Sequence, residues 1–206
     1  QRTKAIGLLH KQMVKDSALS RMAIGDSIVT LRKPGANDRP VSGILETYHG
    51  DDMTDDALTA EARRSWKSTP DENGRARTLD DHKSILIWQR YAEPIWMDIA
   101  QSDVLSHRVA RDEHDERHIS PLQLTVVRRC VDLWSNPGDT IFSPFAGIAT
   151  AGYVALELGR KFVGAELKAS YFRQAVKNLE LAESRKSNTN LIDAMEDDGG
   201  LKTDAA

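Results

Sequence analysis

The chain has 206 residues, of which 40% are hydrophobic and 29% charged, with a formal net charge of −3. Those numbers bound it to one globular domain, or one domain with an appendage, and exclude a uniformly basic nucleic-acid coat while leaving room for a local basic face. The single cysteine, Cys130, excludes an internal disulfide, and no run approaches the roughly 18 apolar residues of a membrane span.

The start, Gln1-Arg-Thr-Lys, is not a signal peptide and carries no Met, so the expectation is a processed chain or a piece of a longer one. Ala5 to Ala18 places Ile6, Leu9, Met13 and Val14 close to helical spacing, with Lys4, Lys11 and Lys15 between them. Asp26 to Arg32 is β-branched and predicts a strand, stopped by Lys33-Pro34-Gly35. Residues 37–83 are polar and rich in Asp, Gly, Pro and Arg; they read as an insertion with one short helix around Asp56 to Trp66, either a target-recognition element or a mobile loop.

Order returns at Ser84 to Tyr91 and Pro94 to Ile99. Trp88, Tyr91 and Trp96 suit base stacking, but core packing is the favoured reading for at least two of them. Ser102 to Arg117 is dense in charge. A metal cluster is one reading of His107, His114 and His118; a solvated loop is preferred, because the spacings match no zinc pattern, and no metal is expected. Leu122 to Trp134 predicts a helix with Ser120 as N-cap and Pro121 at its first position. Cys130 within it reads as a small buried apolar residue rather than a nucleophile.

Asn136-Pro137-Gly138 then leads into the stretch that carries the chemistry, Asp139-Thr-Ile-Phe-Ser-Pro-Phe-Ala-Gly-Ile-Ala-Thr150. Thr140 to Phe142 reads as a buried strand, Ser143 to Gly147 as a tight turn, and Ile148 to Leu158 as a helix. Phe162 to Glu166 is a second strand and Tyr171 to Ala182 an amphipathic helix, followed by a polar tail, 184–206, expected to be disordered. The alternation over 121–182 implies an α/β fold with a parallel, doubly wound sheet. Ligands of such sheets sit outside the carboxyl ends of the strands. A glycine turn with an acid about 20 residues on, here Gly147 and Glu166, is the arrangement that holds a nucleoside. The phosphate-binding loop is a poor match, since Tyr153 stands where its lysine belongs, and Ala149 replaces the second glycine of the dinucleotide fingerprint. S-adenosylmethionine fits these residues better than a nicotinamide dinucleotide.

The segment Pro137 to Thr150 resembles the cofactor motif of the DNA amino-methyltransferases, which modify adenine N6 or cytosine N4: an apolar strand, then Asp-Pro-Phe-x-Gly-x-Gly-Thr, matched at Pro144, Phe145, Gly147 and Thr150. Leu158 to Leu167 with Tyr171, and Arg117-His118 with Ser120-Pro121-Leu122, resemble two further segments of that family, nearest to its phage and prophage members. The resemblance implies a Rossmann-like class I methyltransferase sheet, incomplete at its N-terminal side and carrying the polar insertion. It assigns 1–36 and 84–183 to the core and double-stranded DNA as partner. It implies cofactor roles for Ser143, Pro144, Phe145, Ala146, Gly147, Thr150 and Glu166, with Glu166 on the ribose; Trp96 to Ile99, His118 and Pro121 would line the methionine end. Two departures stand out. Ser143 replaces the usual Asp, and Ala149 replaces a Gly. The family's catalytic Asp/Asn/Ser-Pro-Pro-aromatic motif is absent, because the chain has no Pro-Pro pair. No catalytic residue is therefore assigned. The expectation is the C-terminal portion of a site-specific DNA methyltransferase, adenine N6 favoured, with the missing N-terminal part as a further partner. The alternatives are a non-catalytic, split or decayed half that binds DNA or a partner subunit, and a nicotinamide-dependent oxidoreductase.

Overall fold

The computed structural model describes residues 27–67, 69–106 and 121–198, with side chains through residue 187. The predicted helix at 5–18 and the three histidines lie outside the described residues. The chain divides into two compact units, Gln1–Asp103 and Val104–Ala206.

In the first unit, the β-branched run at 27–32 forms no strand. Val29 and Leu31 are 77% and 88% exposed. A strand exists only as part of a ladder, and no described residue pairs with this run. The helices are α1, Asp55–Ser65, and α2, Leu79–Tyr91. Both begin at a threonine cap. Thr54 Oγ1 accepts the Ala57 N–H at 3.2 Å. Thr78 and Asp81 form a reciprocal capping box, which also holds the Asp81 carboxyl below the usual range, first through the Thr78 N–H. α2 runs across the 83/84 boundary expected from composition, because the cap at Thr78 starts the helix before the apolar run does. Residues 37–83 are therefore not a free excursion. Leu58, Ala62, Ile87 and Tyr91 are buried, and so is Tyr48 from the irregular stretch between 44 and 52.

That stretch is tied down by polar bonds. Leu45 N–H donates to Ser84 Oγ at 2.8 Å, His49 N–H to the Tyr91 hydroxyl at 2.8 Å, and Tyr48 N–H to Asp55 Oδ1 at 2.7 Å. The Tyr48 hydroxyl lies 2.5 Å from both Asp52 Oδ1 and Asp98 Oδ2, and Arg90 pairs with Asp52 at 2.8 Å. Of the aromatics expected to pack, Tyr91 is buried and Trp96 is half-buried, its indole N–H on the Tyr91 carbonyl at 3.0 Å, while Trp88 is exposed.

The second unit runs α3 (Leu124–Trp134), β1 (Thr140–Ser143), α4 (Thr150–Glu157), β2 (Lys161–Gly164) and α5 (Ala169–Asp198). α3 starts later than its Ser-Pro signal suggests. Its N-cap is Gln123, with no side-chain cap bond; Ser120 lies outside the described residues. β1 and β2 pair in parallel, Thr140 opposite Lys161 through Ser143 opposite Gly164. Gly138, at φ +82°, makes the turn into β1 and donates to the Gly159 carbonyl at 2.9 Å.

The core gathers Leu105, Leu124, Val127, Val131, Ile148, Tyr153, Val154 and Ala182. α4 lies close on β2 because residue 152 has no side chain: a Cβ there would come within 2.6 Å of the Phe162 ring and 2.7 Å of Leu179 Cδ2. A doubly wound sheet has helices on both faces. Here, among the described residues, the sheet has two strands, and Phe142 and Val163, which face each other in the register, remain 64% and 54% exposed. The architecture is thus α/β with a small parallel sheet. The expected tail at 184–206 is helical as far as Asp198. Arg185 and Lys186 favour the helix, and Arg185 anchors this turn to the Tyr153 hydroxyl at 2.7 Å. Residues 199–206 lie outside the described residues. No described helix is long and apolar enough to cross a membrane.

Candidate functional site

The two strands point their carboxyl ends the same way, so the segments that follow them meet. After β1 the chain turns through Pro144, Phe145, Ala146 and Gly147; after β2 it passes Ala165, Glu166 and Leu167. Backbone bonds close the pair: Ala165 N–H donates to the Ser143 carbonyl at 3.0 Å and Ala146 N–H to the Ala165 carbonyl at 2.8 Å. Glu166 completes the joint. Its Oε2 accepts the Gly147 N–H at 2.8 Å and its Oε1 accepts the Lys168 N–H at 2.8 Å. One carboxylate thereby orders both the glycine turn and the entry to α5, and each oxygen keeps a lone pair for a further donor.

The turn needs unusual backbone at two places. Gly147 sits at φ +57°, and a Cβ there would meet nothing within 4 Å, so the glycine answers a conformational demand and opens onto free space. Ala149 is also left-handed, at φ 63° and ψ 43°, and is the only non-glycine with positive φ among the described residues. This is where the amino-methyltransferase pattern places its second glycine. The substitution does not narrow the turn so much as strain it, since an L-residue there costs about 1–2 kcal/mol. Ala149 is buried at 1% exposure, so its methyl is at least packed. Thr150 opens α4 and is buried, and the first turn of that helix presents N–H groups that no carbonyl of the helix reaches.

Ser143 to Gly147, Thr150 and Glu166 are thus brought together. Phe145 projects beside them, 89% exposed, with Leu167 fully exposed across the joint. Pro121 is buried just ahead of α3 and makes no hydrogen bond to the turn among the described residues. His118 lies outside the described residues. Trp96 to Ile99 belong to the other unit. One supporting residue escaped the sequence reading: Asn178 of α5, 6% exposed, donates from Nδ2 to the Ile148 carbonyl at 2.7 Å and so holds the turn from below. Its signal was an amide between Ala175, Leu179 and Ala182, one turn after Gln174, whose Nε2 donates to its Oδ1 at 3.0 Å. Tyr153, in the place of a phosphate-loop lysine, is 3% exposed and receives Arg185; it is a packing residue. Burial pushes the Cys130 thiol up to about 11, which keeps it protonated and inert at neutral pH.

The DNA methylase family N6_N4_Mtase matches residues 24–177. The chain is 37% identical over 75 residues to the DNA adenine methyltransferase YhdJ of Escherichia coli (strain K12), covering 36% of this chain and 25% of that protein. It is 38% identical over 58 residues to the type II methyltransferase M1.MboII of Moraxella bovis, covering 28% of this chain and 22% of that one. Among solved structures, the DNA modification methylase TTHA0409 from Thermus thermophilus, complexed with S-adenosyl-L-methionine, is 26% identical with a TM-score of 0.35, covering 47% of this chain and 32% of that one. The chain therefore spans about a quarter of the length of the curated relatives it matches. With the family's match running through both units and ending inside α5, this chain belongs to the N6_N4_Mtase family of DNA methylases.

Proposed function

We propose that the chain is the C-terminal, cofactor-holding portion of an S-adenosylmethionine-dependent DNA methyltransferase, acting on the exocyclic amine of adenine (N6) or cytosine (N4), with adenine favoured, in the cytoplasm of a bacterial or phage-infected cell. The observation that carries this reading is the Glu166 carboxylate bound to the Gly147 N–H at the joint of two parallel strand ends. It is supported by the family match and by relatives named as DNA adenine and type II methyltransferases.

In this reading the free lone pairs of Glu166 accept the ribose hydroxyls, and the exposed Phe145 ring and Pro144 cover the apolar side of the cofactor. Ala146, Gly147 and Thr150 supply backbone at close approach, and Ser143 and Pro121 line the methionine end, a role the resemblance also implies for His118, which lies outside the described residues. Ser143 offers a hydroxyl where the family pattern has a carboxylate, so the methionine ammonium loses an ionic partner. When bound, the cofactor supplies an electrophilic sulfonium methyl for attack by the amine of a flipped base. The part of these residues is to bind and orient, which alone supplies a large share of a transfer rate. No Pro-Pro pair occurs in these 206 residues, so no group that holds the acceptor amine is assigned among them.

Calorimetry with S-adenosylmethionine tests the site without activity. The wild-type chain is expected to bind, Glu166→Gln to bind more weakly, and Glu166→Ala to lose at least about tenfold in affinity, the value of one charge-assisted hydrogen bond. An unchanged affinity in Glu166→Ala removes the assignment. The absent Pro-Pro motif also favours a second reading, a non-catalytic half that binds DNA or a partner subunit. An in-frame Pro-Pro-aromatic motif upstream of Gln1 would eliminate it.

A further inference from the structure

Between residues 27 and 103 the chain is acidic overall, and half of its positive charge falls in one short stretch. Of the ten Lys and Arg between residues 27 and 103, five fall within 63–77, against two of the fourteen Asp and Glu. The local structure explains how that imbalance is presented. Arg63 and Arg64 lie in the last turn of α1, and Arg63, Arg64, Trp66 and Lys67 are all exposed. The chain then folds back as a short hairpin, with an antiparallel bridge between Pro70 and Ala76. Lys67 and Thr69 join to it through Thr69 N–H on the Lys67 carbonyl at 2.8 Å and Arg77 N–H on the Thr69 carbonyl at 3.2 Å. The backbone of Arg77 is thereby held beside the stretch that follows α1.

The hairpin tip is closed by hydrogen bonds within the turn. Asp71 Oδ1 accepts the N–H groups of Asn73 at 2.9 Å and Arg75 at 2.8 Å, and Gly74 takes φ +78°. Asp71 is thus engaged with its own turn and with the Arg75 guanidinium at 3.8 Å, leaving Glu72 as the one acid at the tip. Beyond residue 44 the unit's other cations are matched: Lys83 with Asp55 at 2.8 Å, Arg90 with Asp52 at 2.8 Å, Arg75 with Asp81 at 3.2 Å. Arg63, Arg64, Lys67 and Arg77 have no ion pair with any described residue. A folded region that pairs Arg75, Lys83 and Arg90 and leaves these four without an acid among the described residues presents a surface for an external polyanion.

We infer that Arg63, Arg64, Lys67 and Arg77, with Trp66 among them, form a contact surface for the phosphate backbone of duplex DNA. This rests on the reading of the chain as a DNA methyltransferase and names the part of the first unit that meets the substrate. Contacts of this kind position a protein on DNA without reading sequence, and each neutralised phosphate adds about 0.9 to the dependence of log K on log salt.

The experiment titrates the full chain with a fluorescent DNA duplex at a series of salt concentrations, alongside two charge-matched variants. Arg63→Gln/Arg64→Gln/Lys67→Gln removes three cations of the surface. Lys161→Gln/Arg173→Gln/Lys177→Gln removes three exposed cations of the second unit. All substituted side chains are exposed, so circular dichroism is expected to be unchanged. The first variant is expected to lower the salt slope by roughly 2 to 3 and the affinity at least tenfold, with S-adenosylmethionine binding intact; the second is expected to change the slope little. Equal losses in both variants would mean that net charge alone is felt, and would overturn the surface while leaving the DNA reading in place. No loss in the first variant would do the same. Failure of the wild-type chain to bind any duplex would overturn both.

Discussion

In the first unit, Tyr48 is buried with two carboxylates and a guanidinium around its hydroxyl and ring; in the second, Val154 is buried among aliphatic and aromatic side chains. The first unit has a small apolar centre at Leu58, Ala62 and Ile87 and holds its irregular stretch by side-chain-to-backbone bonds. The second has a contiguous apolar cluster and a parallel ladder. Apolar packing tolerates changes in pH and loses stability in proportion to lost volume. A polar clasp depends on protonation and on each partner being present. The contrast suits their places in the sequence: regular periodicity suffices for the second unit, whereas the first needs particular residues at particular turns.

The largest effect is expected where the first unit has least to spare. Ile87→Ala should cost about 2–5 kcal/mol, read by urea unfolding through Trp66, Trp88 and Trp96, three of the four tryptophans. A smaller loss than for Val154→Ala would show that the polar clasp, not the apolar centre, holds this unit. Gly152→Ala should cost about 1–3 kcal/mol through overpacking against Phe162 and Leu179, read through Trp134, the tryptophan of the second unit. An unchanged midpoint would mean that α4 and β2 are not as closely seated as the structure has them.

Tyr48 sharpens the contrast by pH. Burial first, then its bonds to Asp52 and Asp98, raise the phenol well above its ordinary value. The folded state therefore keeps a proton that the unfolded state loses. This stability is fully present below about pH 10, the unfolded value, and falls as pH rises further. Unfolding followed between about pH 8 and 11 should show that loss in the wild type and not in Tyr48→Phe. The variant itself should cost about 1–3 kcal/mol at neutral pH, because two carboxylates lose their shared donor. The smallest effect is expected at Ala149→Gly: relief of the left-handed strain, about 1–2 kcal/mol, is offset by a lost buried methyl, about 0.8 kcal/mol, and by greater freedom of the unfolded chain. A midpoint shift of a few degrees in either direction on thermal melting would settle which term leads.

The sequence by itself determined the second unit's order of elements and the turn at Ser143 to Thr150, because strand and helix periodicities there are local and are punctuated by Gly138, Gly147 and Gly159. It also carried the pairing of Gly147 with Glu166, since parallel strands of this length bring their ends together. What it could not carry depended on partners distant in the chain. The run at 27–32 has the composition of a strand but no neighbouring strand among the described residues to pair with. The polar stretch at 37–83 lacks periodicity, yet it folds because Leu45 meets Ser84 across 39 positions and Tyr48 meets Asp98 across 50. The helical extension past residue 183 is seated by Arg185 on Tyr153, a contact across 32 positions. Tertiary structure decided these points for one physical reason: a buried hydrogen bond or strand ladder is specified by both of its partners, and sequence patterns at either one are silent about the other.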